Sequence, residues 1–322
     1  MTLPNIDDIR AAANRIASHA VRTPLLESSQ INDILGGRLL IKAETLQTTG
    51  SFKFRGAFNA ISQIPDKIRK NGIVAFSSGN HAQGVAAAAL LHGVPAVIVM
   101  PEDAPGLKVA NTIDYGAEVV LYNRYTEDRE AIGARIAEQR GLSLVKPYDD
   151  PRVIAGQGTV GLEIIEQIDT LPDQVLAPCG GGGLIAGTAI AIKDAVPDAY
   201  IYAVEPEEFD DTARSLKLRS RQQVGPEANS ICDSLMPATP GEITFAINQR
   251  LLSGGLIVSD DEVRKAMLEG FRRLKLVIEP GGAVGLAAVL SGVIDCRNKT
   301  TVIVCSGGNV DPSLFSEILR AS

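Results

Sequence analysis

Four short segments carry residues able to do chemistry, each where an apolar run gives way to a helical pattern. The first, TTGSFKFRG at 48–56, sets Lys53 between Phe52 and Phe54. An amine among apolar neighbours loses hydration and, with it, part of its hold on the proton, so it can attack a carbonyl. The same local sequence suits a lysine lying along the surface with its head in water. The second, FSSGNHAQG at 76–84, offers Ser77, Ser78, Asn80 and His81 beside the unpaired N–H groups of a helix start. That setting fits a carboxylate or a ring hydroxyl, and simple helix capping by Ser78 or Asn80 competes with it. The third, VLAPCGGGGLIAG at 175–187, places Gly180, Gly181, Gly182 and Gly183 before a helix that opens near Leu184. Glycines let several N–H groups converge on one anion, and four in a row cost too much backbone entropy for a plain turn. A phosphate site is the favoured reading. The fourth, VCSGGNVD at 304–311, ends a buried run at Ser306, whose hydroxyl can donate or accept.

The elements that must position these segments alternate. Continuously apolar runs at 39–42, 73–76, 96–100, 118–121, 142–145, 175–177, 201–204 and 301–304 read as strands buried on both faces. Helical patterns cover 7–20, 81–92, 126–139, 161–168, 184–195 and 260–274, the last opened by a Ser259/Glu262 capping box. Such alternation predicts an α/β fold with mostly parallel sheets flanked by helices, and ligands outside the carboxyl ends of the strands. Residues 72–147 form a small lobe, and 1–71 with 148–322 a larger one, by count of elements. Gly181, Gly183 and Ala186, with Glu205 after the next strand, also fit a dinucleotide template, a weak match because four glycines satisfy many templates. No G-x-x-x-x-G-K-[ST] occurs, which disfavours a P-loop hydrolase.

The 322 residues carry 31 basic and 38 acidic side chains, a net charge of −7, which argues against nucleic-acid binding by a broad basic surface. No apolar run is long enough to span a membrane, and the acidic start MTLPNIDDIR lacks a secretory pattern. Four cysteines without CxxC spacing and only three histidines argue against a zinc cluster. A cytoplasmic protein is expected.

Taken in order, the four segments resemble the fold-type II pyridoxal-phosphate enzymes, in the branch of serine/threonine dehydratases and serine racemases. The resemblance runs from TPLLES at 23–28 through VIAGQGTVGLEI at 153–164 to SGGNVD. It implies a tryptophan synthase β-like fold of two lobes and a homodimer. It implies that Lys53 is the Schiff-base lysine, flanked by Phe52, and that Asn80 faces the cofactor's ring hydroxyl. The glycines at 180–183 with Leu184 would hold the phosphate, and Ser306 the pyridine nitrogen. Ser77, Asn80 and His81 would hold the substrate carboxylate. Lys53 would take the α-proton, the β-hydroxyl would leave, and hydrolysis would give a 2-oxo acid and ammonia. Ser78 matches the residue on the opposite face in racemases, so racemisation is the first alternative. A β-replacement synthase or a non-catalytic amino-acid-binding protein ranks lower, and a nicotinamide-linked oxidoreductase predicts a protein without visible colour.

EPEEFDD at 205–211 resembles the branch's divalent-cation site, with the carboxylates of Glu205 and Asp211 and the carbonyl of Phe209 offered to Mg²⁺ or Ca²⁺. This reading displaces Glu205 as a ribose partner. Serine, threonine and 3-hydroxyaspartate all carry the β-hydroxyl, and only the last needs a cation for a second carboxylate. Arg129 matches an arginine that faces the distal group in relatives, with Lys146 and Arg152 as weaker candidates. ICDSLMPATPGE departs from the ADG pattern of serine-selective relatives, which favours 3-hydroxyaspartate or threonine. The chain ends thirteen residues after Asn309, with no room for a feedback domain, so a catabolic role is expected.

Overall fold

The computed structural model describes residues 2–321. Among the described residues ten strands form two sheets. They are β1 (Leu25–Glu27), β2 (Arg38–Ala43), β3 (Ile73–Phe76), β4 (Ala96–Pro101), β5 (Glu118–Tyr122), β6 (Ser143–Leu144), β7 (Gln174–Pro178), β8 (Tyr200–Pro206), β9 (Gly254–Val258) and β10 (Thr300–Cys305). The six-stranded sheet runs β1-β2-β10-β7-β8-β9 and the four-stranded sheet β5-β4-β3-β6. Every pairing is parallel except that of β1 with β2. The fold is therefore α/β, and the eight apolar runs all fall on strands.

The differences are local and have causes. β5 was expected to be buried on both faces, but it is an edge strand and exposes Leu121. The first helix stops at Ile16, and the helix expected over 161–168 begins ten residues earlier, as Pro151–Gln167. Asp150 caps it by accepting from the Arg152 N–H at 2.8 Å, and Pro151 occupies the first turn, where a missing N–H costs nothing. Its glycines hid the helical period, yet they are what lets it pack. A Cβ on Gly156 would meet the backbone of Arg55 and Gly56, and one on Gly161 the backbone of Thr188 and the Ala191 methyl. The segment is thus clasped between the helices Lys53–Ser62 and Gly183–Ala195. The Ser259 capping box is present, and the helix Asp260–Glu269 passes into a π turn at Gly270–Leu274.

All four chemical segments leave the carboxyl ends of strands or lie beside them. β7 runs into the glycines at 180–183, β10 into Ser306, and β3 into the turn before the helix Asn80–Leu91. Lys53 opens its helix, and the Phe52 N–H donates to the Ser306 carbonyl at 3.1 Å, tying that helix to the end of β10.

Candidate active site

The four segments converge on one pocket between the sheets. Lys53, Ser77, Ser78, Asn80, His81, the glycines at 180–183, Leu184, Ser306, Phe52 and Arg129 all line it. Lys53 is half-buried, and its Nζ donates to the Pro147 carbonyl at 2.9 Å and stands 5.2 Å from the Phe52 ring centre. Burial lowers its pKa to about 8 against the opposing pull of Glu279, so near neutrality a useful fraction is free amine. The surface reading of this lysine is excluded.

The glycine loop is shaped by its neighbours as well as by any anion. A Cβ on Gly181 would overlap the Tyr148 ring, and one on Gly180 would press on Leu235 and Pro237. Gly182 has φ +90°, a left-handed conformation that other residues adopt only at a cost. The Thr244 hydroxyl donates to the Gly181 carbonyl at 2.7 Å and fixes the loop from behind. Among the described residues no acceptor faces the N–H groups at 180–184, which open the helix Gly183–Ala195. Converging unpaired donors at a helix start make an anion cradle. The fit to a phosphate is good. Ser306 is buried, and its hydroxyl has no protein partner among the described residues.

At the second turn, the cap of the helix Asn80–Leu91 is Gly79, with no side-chain cap bond. Ser77 Oγ accepts from the Gly79 N–H at 3.1 Å. Ser78 and Asn80 therefore do no capping, and the Ser78 hydroxyl remains available to the pocket. The His81 side chain is already engaged. Its Nε2 meets the Val145 carbonyl at 3.1 Å, so that nitrogen carries the proton and buried Nδ1 has only a lone pair. Burial and the nearby Lys53 push its pKa down to about 3. A neutral ring in that tautomer cannot donate to a carboxylate, and what His81 offers is its backbone N–H in the first helical turn.

Arg129 lies 5.5 Å from the Phe76 ring centre and has no carboxylate partner among the described residues. Arg152 is paired with Asp150 at 2.6 Å, and Lys146 does not line the pocket. The residues at 205–211 lie apart from it. Both Glu205 oxygens accept backbone N–H groups, from Thr212 at 2.9 Å and Ala213 at 2.8 Å, while Asp211 Oδ2 is buried with no partner. Burial pushes Glu205 up to about 8 and Asp211 up to about 7, the Asp211 charge adding to the effect at Glu205. Two buried carboxylates with no ion pair of their own, opposed only by the Arg214 charge that is already paired with Asp210 and lying beside the buried Phe209, fit a hard divalent ion.

Sequence reasoning missed an ionic cluster on the pocket wall. Buried Lys108 pairs with Asp233 at 2.6 Å and with Glu279 at 3.2 Å, and Glu279 accepts from Asn80 Nδ2. Burial raises the Glu279 pKa, and Lys108 opposes it. Tyr148 was missed as well. Only Glu279, standing directly before a helix-opening Pro280, had any local signal.

A model of the family described as pyridoxal-phosphate dependent enzyme matches residues 16–307. The chain is 44% identical over 319 residues to an L-threo-3-hydroxyaspartate ammonia-lyase of Saccharomyces cerevisiae, covering 99% of this chain and 97% of that one. It is 42% identical to a catabolic L-threonine dehydratase of Escherichia coli, covering 97% and 95%. Its fold is similar to that of maize serine racemase, with a TM-score of 0.94, 38% identity, and coverage of 99% and 98%.

Proposed function

The chain belongs to the pyridoxal-phosphate dependent enzymes, and from that membership we propose that it is an ammonia-lyase for 3-hydroxy amino acids, with 3-hydroxyaspartate preferred. The observation that carries this reading is the pairing, in one pocket, of the Lys53 amine with an Arg129 guanidinium that no protein carboxylate neutralises. The net reaction converts the hydroxy amino acid to a 2-oxo acid and ammonia, the water lost in elimination being returned in hydrolysis.

Bound pyridoxal phosphate would supply an electron sink for the pair left at the α-carbon. The N–H groups at 180–184 would hold its phosphate, Ser306 its ring nitrogen, and Lys53 its aldehyde carbon. A serine at the ring nitrogen does not force protonation there, which moderates the sink and suits rapid loss of a β-leaving group. The substrate α-carboxylate would sit at the start of the helix Asn80–Leu91, against Ser77 and the Asn80 and His81 N–H groups. Lys53 would then take the α-proton, a task matched to its lowered pKa. Arg129 would pair with the distal carboxylate of 3-hydroxyaspartate, which otherwise would be desolvated without a partner. Ser78, free of capping, could exchange a proton from the opposite face, so some racemisation is part of the proposal.

Three further features belong to the same reading. Glu205, Asp211 and the Phe209 carbonyl would bind Mg²⁺ or Ca²⁺, supported by the orphaned Asp211 oxygen. Residues 72–147, which contain the whole four-stranded sheet, would move as a lobe and close over the substrate. The protein would be a cytoplasmic homodimer, and four free, buried cysteines suit a reducing compartment. Among the described residues no helix is long and apolar enough to cross a membrane.

The test is ammonia release by cofactor-loaded protein with Mg²⁺, on serine, threonine and the stereoisomers of 3-hydroxyaspartate. Lys53→Ala abolishes release. Arg129→Ala raises KM for 3-hydroxyaspartate about tenfold or more, the worth of a charge-assisted hydrogen bond, and leaves threonine nearly unchanged. Release from none of these substrates refutes the lyase reading, and equal effects of Arg129→Ala on both refute the assignment of that arginine.

A further inference from the structure

The hydrogen bonds around Asn80 fix which end of its amide faces which neighbour. A backbone carbonyl can only accept, and the Thr49 carbonyl accepts from the Asn309 side chain at 2.8 Å. That end of Asn309 is therefore its NH₂. The same nitrogen lies 2.9 Å from Asn80, and a donor there requires the Asn80 oxygen opposite it. Asn80 must then point its NH₂ the other way, where Glu279 accepts one of the two hydrogens. Glu279 is itself held, its second carboxylate oxygen by the ion pair with Lys108 and its backbone N–H by donation to the Gly307 carbonyl at 3.0 Å. Lys108 is anchored in turn by Asp233. Each link determines the polarity of the next, starting from a main-chain group that cannot turn over.

One Asn80 hydrogen remains, without a protein acceptor among the described residues, on a buried side chain that lines the pocket. We infer that Asn309 and Glu279 are positioning residues that lock the Asn80 amide, so that it presents a donor and never an acceptor to the ring oxygen of the cofactor. The inference rests on the reading that Asn80 faces that oxygen. A fixed donor stabilises the oxygen in its deprotonated, negatively charged form and disfavours the protonated one. An unlocked amide would serve either form by turning over, and the protonation state would follow the solution pH. The lock therefore holds the loaded protein in one coloured form across the neutral range.

The experiment records the absorbance of loaded protein against pH, with no substrate present. Wild type keeps its visible band through the neutral range without an acid–base transition, and a transition there overturns the inference. Asn309→Asp replaces the donor with an acceptor of the same shape, draws the Asn80 NH₂ towards itself and turns its oxygen to the pocket. The ratio of the visible, deprotonated form to the protonated one then falls roughly fivefold, the effect of about one neutral hydrogen bond. Asn309→Ala removes the donor but leaves Glu279 holding the NH₂, so the loss is smaller. An unchanged band in Asn309→Asp, or equal losses in both variants, overturns the lock, and the wild-type titration decides alone if the aspartate variant does not fold. Asn80→Asp separates the two claims. If it leaves the spectrum unmoved, Asn80 does not face the ring oxygen. If it moves the spectrum while Asn309→Asp does not, the placement stands and the lock fails.

Discussion

Replacing Arg55 by Met tests whether the helix that presents Lys53 is held by charge. Arg55 lies two residues after Lys53 on the helix Lys53–Ser62 and is completely buried, as are Glu44 and Lys42. Its guanidinium donates to both oxygens of Glu44 at 2.8 Å, and to both oxygens of Glu163, at 2.6 and 2.9 Å. Lys42 completes the set, with Glu163 at 2.5 Å and the Thr23 carbonyl at 2.7 Å. Two cations thus balance two anions, and removing one cation strands a buried carboxylate. Met fills the volume but offers no donor, so Glu44 keeps only the Thr23 hydroxyl. The expected loss is about 3–5 kcal/mol of unfolding free energy, measured by urea denaturation at neutral pH. Adding Glu44→Gln removes the stranded charge and recovers roughly half of that loss. Burial pushes Glu44 up, but Arg55 and Lys42 outweigh it and hold its carboxyl below the ordinary value. In wild type this stabilisation is present above the unfolded pKa and is lost as pH falls through the lower folded one. In Arg55→Met burial prevails and the folded pKa lies above the unfolded one, so the penalty is largest at high pH and shrinks on acidification. A loss under about 1 kcal/mol, or a double variant no better than the single, refutes the argument.

Two further predictions concern the site and the acidic turn. The cofactor-free protein should take up pyridoxal phosphate at a rate that rises with pH and levels off above about 8, because the attacking group is the free Lys53 amine. Stopped-flow growth of the visible band measures it, and a rise continuing to the ordinary lysine value of 10.5 contradicts the burial argument. Mg²⁺ or Ca²⁺ at about a hundred times its Kd should stabilise the protein by about 2.7 kcal/mol, seen as a higher Tm. Asp211→Asn should abolish that response, and no change in Tm at millimolar ion would remove the cation site from the proposal.

What could be read from the sequence was what is local in it. Lys53, Asn80, the glycines at 180–183 and Ser306 each occupy a turn at or beside a strand end, where a few consecutive residues specify both the backbone and its unpaired donors. The buried strands were legible for the same reason, since a continuous apolar run needs no partner to be recognised. The glycine-rich first half of Pro151–Gln167 broke the periodicity on which helix reading depends, whereas the π turn at Gly270–Leu274 kept enough of it to be read as a continuation of the helix before it. The three residues of β1 and the half-exposed edge strand β9 carried too little pattern to be seen. The ionic wall was invisible for a different reason. Lys108 meets Asp233 across 125 residues of chain, so neither end differs locally from a surface side chain, and Asn309 meets Asn80 across 229, a contact that the local motif around Asn80 does not announce. The polarity of Asn80 is the extreme case. Its residue type and position were legible, but which atom it shows to the pocket is decided by a carbonyl at Thr49, passed on through Asn309. A local motif can thus supply the right group, while its usable chemistry is set by contacts that only the folded chain makes.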